Sequence, residues 1–141
     1  NRFQTSTPAV IWAPGNKGGE SEGIIGNWFK KSGKRAQVVL ATKVGYDGLG
    51  AKDVVRSVEA SLVRLRTDYL DVIQFHGGMY TQEQVDRILS GGLLDALQPL
   101  RKEGKVRYIG FTVEEPWTAR PLIARPSPTS PSRRRPRSSR A

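Results

Sequence analysis

The chain has 141 residues, a formal net charge of +10 and no cysteine, which allows one domain with a true core and excludes disulfide frameworks and thiolate metal sites. A single histidine removes the usual nitrogen-and-sulfur zinc site, and no stretch approaches the roughly 20 apolar residues of a membrane-spanning helix. The charge is uneven: residues 116–141 hold seven arginines, six of the nine prolines and no acid, so residues 1–115 carry 16 basic and 13 acidic side chains, a net charge of only +3.

In chain order, NRFQTSTPAV lacks the charged-then-apolar layout of a signal peptide, and a soluble, cytoplasmic chain is expected. The glycine-rich GNKGGESEG reads as a loop, because no strand precedes it as a phosphate loop needs. SEGIIGNWFKKSG opens with a serine and an acid suited to a helix N-terminus, carries Ile24, Ile25, Trp28 and Phe29 at helical spacing and stops at Gly33; it predicts a helix. QVVLATKVG is a short β-branched run stopped by glycine, the pattern of a strand buried on both faces. AKDVVRSVEASLVRLRTD aligns Val54, Val55, Val58, Leu62 and Leu65 on one stripe and predicts an amphipathic helix.

YLDVIQFHG is the next strand. TQEQVDRILSGGLLDALQPLRKEG is helical, broken near Gly91 and Gly92 and ended at Gly104. KVRYIGFTV is a further strand, and EPWTARPLIA begins a helix with Pro116 in its first turn. Beyond Ala124 the arginine-, proline- and serine-rich segment 125–141 lacks the apolar surface to offset its chain entropy, and disorder is expected there.

Helices and apolar strands in alternation require a parallel sheet covered by helices, either open and doubly wound or closed as a barrel. No G-x-G-x-x-G opens a helix and no G-x-x-x-x-G-K-[ST] is present, so the dinucleotide-fold and P-loop readings lose their support. In a barrel the C-terminal strand ends carry the chemistry. Two polar residues fall there, Lys43 in ATKVG and the lone His76 in IQFHGG: an ammonium tunes a neighbour's proton affinity, and an imidazole exchanges a proton near neutral pH.

GGESEGIIGNW, VVLATKVG, SVEASLVRLRTDYLDVIQFHG and LLDALQPLRKEGKVRYIGFT together resemble the aldo-keto reductase family over roughly residues 12–124. The resemblance implies an α/β fold of the (β/α)8 TIM-barrel type, of which residues 1–124 would supply a partial barrel, roughly the second to fifth βα units, with residues 1–11 as an aberrant first strand. It implies reduction of small-molecule aldehydes and ketones with NADPH by a tyrosine, a lysine, an aspartate and a histidine. Lys43 matches the family lysine and His76 the family histidine, which orients the substrate. Counting back from Trp12, Gln4 falls at the aspartate position and Ala9 at the tyrosine position, and neither can do that work. Tyr46, Tyr69, Tyr80 and Tyr108 belong to other segments, Tyr46 alone near the expected mouth, where it reads as a loop aromatic.

At the strand end GFTV the resemblance implies nicotinamide contacts, for which Thr112 keeps a hydroxyl and Val113 offers nothing polar. The expected activity is NADP-dependent carbonyl oxidoreduction, with little or none from this chain itself. Both ends leave the family pattern abruptly, as an off-frame reading of the gene would give, and transcript sequencing decides that. A free sheet edge predicts self-association. Two other readings are a non-catalytic scaffold and nucleic-acid binding through SRRRPRSSR, whose arginines could neutralise phosphates but which has no aromatic platform for bases.

Overall fold

In the computed structural model, residues 3–5, 19–45 and 50–124 are described, the first three as backbone only. Four strands, β1 (Phe3–Thr5), β2 (Val39–Val44), β3 (Leu70–His76) and β4 (Val106–Thr112), pair in parallel in the order β1-β2-β3-β4. Helices α1 (Glu20–Ser32), α2 (Ala51–Leu65), α3 (Gln82–Leu89) and α4 (Leu93–Lys102) alternate with them. A 3-10 turn over Pro116–Ala119 leads into the short α5 (Arg120–Ala124), where the sequence predicts one helix.

Strand order follows chain order without reversal. A doubly wound sheet reverses at its ligand crevice, whereas a barrel adds each strand beside the last. The sheet is therefore a partial α/β barrel.

The core lies between the sheet and its helices. Leu40 and Ile73 from the strands meet Val54, Val58 and Leu65 of α2 and Leu93 and Leu97 of α4, all essentially sealed from solvent; each such side chain contributes roughly 1.5–3 kcal/mol by leaving water. The stripe predicted for α2 is the buried one, with Val55 only partly covered. The predicted break at Gly91 and Gly92 separates α3 from α4, and Gly92 takes a positive φ of 79° there. Thr81 caps α3: its hydroxyl accepts from Gln84 N–H (3.3 Å), and the Gln84 side chain accepts from Thr81 N–H (2.9 Å).

Two expectations are corrected. Helix α1 starts after Gly19, not at the serine, and buries Glu22, Gly26 and Phe29 while leaving Ile24 and Trp28 exposed. The reason is close helix approach: a Cβ on Gly26 would lie 2.2 Å from the Arg64 carbonyl oxygen of α2, so the small residue takes the contact face. The strands are also not buried on both faces. Burial alternates along β2, and β4 is largely open beyond Val106.

Candidate active site

Strand alternation decides what reaches the open face. Leu40, Thr42 and Val44 of β2 turn toward the helices, so Ala41 and Lys43 turn the other way. Lys43 is the register partner of Gln74, and His76 that of Thr112. Lys43, Gln74, His76 and Thr112 therefore share the face opposite the helices, at the C-terminal ends of three adjacent strands. Gly110, opposite Gln74, adds no side chain to that face.

The two predicted catalytic residues are electrostatically joined. Burial first, then the positive charge of Lys43, hold the His76 imidazole below its ordinary pKa of 6.5. At neutral pH the ring is uncharged, with one nitrogen an N–H donor and the other an acceptor. A neutral imidazole beside an ammonium can hold a carbonyl oxygen through its N–H while the cation favours negative charge developing there.

Thr112 is in the predicted place but its hydroxyl serves the backbone. Its Oγ1 accepts from Gly77 N–H at 3.3 Å and lies 3.4 Å from Gly77 O and 3.5 Å from Phe75 O. The turn after β3 is thereby tied to the end of β4. Tyr80 reinforces it: its hydroxyl donates to Phe75 O at 3.2 Å, and its buried ring stands edge-on to Phe111. A Cβ on Gly77 would fall 2.4 Å from that ring, so this position takes glycine to let the aromatic in.

No described tyrosine stands at the mouth. Tyr80 is under the turn, Tyr69 precedes β3, and Tyr108 lies four residues before Thr112 on β4, about 13 Å along the strand. Ala9 and Tyr46 lie outside the described residues, as does the tail 125–141. Gln4 pairs with Leu40, three residues short of Lys43, so the register does not set it beside the lysine.

Two polar clusters behind the site escape a periodicity argument. Glu22, fully buried, accepts from Thr42 Oγ1 at 2.6 Å and from Arg64 Nε at 2.7 Å, tying α1, α2 and β2 together next to Lys43. The available signal was that Glu22, Gly26 and Phe29 follow i, i+4, i+7 spacing. At the opposite end of the sheet, Asp71 accepts from Leu40 N–H and Arg35 at 2.9 Å each and from Arg107 at 2.6 Å. Burial works to raise its pKa, but the Leu40 N–H and the two guanidinium groups outweigh it and leave the carboxyl below 3.8. Both arginines also lie on the Tyr69 ring, 3.9 and 4.3 Å from its centre. Among the described residues no group of three His, Asp or Glu side chains could hold a metal ion.

A parallel β/α layer whose strands follow chain order, with Lys43 and His76 at the C-terminal strand ends, defines the α/β-barrel class. A model of the aldo/keto reductase family matches residues 12–128. The chain belongs to the aldo/keto reductase family. It is 34% identical to norsolorinic acid reductase B of Aspergillus parasiticus, covering 82% of this chain and 32% of that protein. It is 36% identical to the aldo-keto reductase YhdN of Bacillus subtilis, covering 73% and 33%. Among solved structures, the holo form of a Bacillus halodurans aldo-keto reductase superposes with a TM-score of 0.67 at 26% identity, over 86% of this chain and 40% of that one. A Klebsiella pneumoniae aldo-keto reductase in complex with NADPH gives 0.65 at 26% identity, over 86% and 37%. The chain thus spans about a third of the length of these curated relatives. Among the described residues no helix is long and apolar enough to cross a membrane.

Proposed function

We propose that this chain carries the carbonyl-holding side of an aldo-keto reductase site, acting on a small aldehyde or ketone in the cytoplasm, and turns over little or nothing by itself. The observation that carries this reading is the placing of Lys43 and His76 on one face at neighbouring strand ends, close enough for the ammonium to depress the imidazole. His76 donates its N–H to the carbonyl oxygen and fixes its direction. Lys43 stabilises the negative charge that gathers on that oxygen during reduction.

Reduction also needs a hydride source and a proton. NADPH supplies hydride in this class, but the strand end expected to touch its nicotinamide does not fit it: the Thr112 hydroxyl is held by the Gly77 backbone, and Val113 carries no polar side-chain atom. Ala9 and Gln4 stand where the tyrosine and aspartate are expected and can neither donate a proton nor ionise. Carbonyl binding without efficient reduction follows.

The test is a titration of the purified chain with an aryl aldehyde, following the single histidine by NMR, beside a titration of NADPH by its fluorescence. A saturable shift of the His76 signal that is lost in Lys43→Met, with weak nucleotide binding, is the expected result. Rapid NADPH oxidation by aldehydes that survives both Lys43→Met and His76→Gln would overturn the proposal.

A further inference from the structure

The face that carries Lys43 and His76 is built in rows set by strand register. Ala41, Val72 and Tyr108 form one row; Lys43, Gln74 and Gly110 form the next toward the C-terminal ends, and His76 and Thr112 lie beyond it. A Cβ on Gly110 would lie 3.7 Å from the Gln74 side chain and 3.9 Å from that of Val72, with no nearer described atom, so the middle row is uncrowded. Lys43 and His76 stand on neighbouring strands two residues out of step. With strands about 4.8 Å apart and a rise of about 3.3 Å per residue, their Cα atoms are roughly 8 Å apart, a gap that the flexible four-carbon stem of lysine spans. Among the described residues no carboxylate forms an ion pair with Lys43: Glu22 is taken by Arg64, and Asp71 by Arg35 and Arg107.

A lysine amine is a nucleophile toward carbonyl carbon. We infer that Lys43 forms an imine with an aldehyde held by His76, so that this chain captures aldehydes covalently and reversibly. This capture rests on the carbonyl-holding role proposed for His76 and adds a bond to it. The imidazole is uncharged at neutral pH and carries two protons in turn from the Lys43 nitrogen to the carbonyl oxygen. The first passes as the C–N bond forms and the C=O electron pair moves to oxygen. The second passes as the C–O bond breaks, water leaves and the nitrogen pair closes the C=N bond. Ammonium and aldehyde thus become a protonated imine and water, with charge conserved and no oxidant or reductant consumed. The row of Ala41, Val72 and Tyr108 offers carbon surface and an aromatic ring to the rest of the molecule, which favours aryl aldehydes.

The test is to incubate the purified chain with benzaldehyde and sodium cyanoborohydride, which reduces an imine to a stable amine, and to locate the benzyl group by peptide mass spectrometry. Labelling of the half-buried Lys43 is expected to be at least about tenfold faster than that of the exposed Lys30, Lys31, Lys52 and Lys102. His76→Gln keeps a hydrogen-bond donor but cannot carry a proton; it is expected to slow Lys43 labelling on the order of 10²-fold and to leave the exposed lysines unchanged, with circular dichroism checking the fold. The His76 NMR titration with benzaldehyde, run without reductant, separates the two readings. A saturable shift with Lys43 labelled no faster than Lys52 overturns the imine and leaves carbonyl holding in place. Absence of both the shift and the preference overturns both, and equal Lys43 labelling in His76→Gln overturns the proton-carrying role.

Discussion

Replacing Arg64 by Met tests whether the buried carboxylate behind the active face is held by its ion pair. Glu22 is wholly buried, with one oxygen on Thr42 (2.6 Å) and the other on Arg64 (2.7 Å), whose side chain is 36% exposed. Removing one partner of a fully buried pair costs about 3–5 kcal/mol, because the remaining charge is stranded. Water can enter from the partly open arginine side, so the expected loss is nearer 2–3 kcal/mol. Combining it with Glu22→Gln removes the stranded charge while the amide still reaches Thr42, and the double variant is expected to be more stable than Arg64→Met by about 1–2 kcal/mol. Urea unfolding followed by circular dichroism measures all three variants. A loss below about 0.5 kcal/mol in Arg64→Met, or a double variant whose loss equals the two single losses added together, would refute the reasoning.

The single histidine gives a direct reading of the site's electrostatics: its NMR midpoint is expected below 6.5, and Lys43→Met is expected to raise it. Because the folded-state value is depressed, His76's contribution to stability is complete above about pH 6.5 and is lost as pH falls through the folded value; unfolding midpoints measured across that range should show the slope, weakened in Lys43→Met. Asp71 acts in a lower window by the same sign. Its contribution is present above about pH 3.8 and is lost as pH falls through its lower folded value, so Asp71→Asn should flatten acid unfolding there. Gly26→Ala would gain about 1 kcal/mol of helix propensity but place a methyl 2.2 Å from the Arg64 carbonyl oxygen. A net loss of about 1–2 kcal/mol in urea unfolding is expected, since the two backbones must separate.

Where one physical rule governs a segment, the sequence was enough to read it. The stripe of α2 follows from a single buried face, the break between α3 and α4 from adjacent glycines, and the strand ends from glycines or polar residues after apolar runs. The strand-end positions of Lys43 and His76 were legible for the same reason, since both are polar residues closing apolar strands. Helix α1 misled because apolar periodicity assumes that side chains fill the interface, whereas α1 meets α2 backbone to backbone at Gly26 and leaves Trp28 outside. Glu22 and Asp71 were invisible to hydropathy: their burial depends on cations 42 and 36 residues away in the chain. Thr112 occupies its expected position, but which way a hydroxyl bonds is set by the neighbouring turn and cannot be counted from spacing.

The clamp of Arg35, Asp71, Tyr69 and Arg107 grips the sheet where its strands begin, and Lys43 and His76 stand where they end. The anchorage and the proposed carbonyl-holding pair thus occupy opposite rims of one layer. Side chains at the rim of Lys43 and His76 can therefore be exchanged without touching the grip that keeps the strands in register.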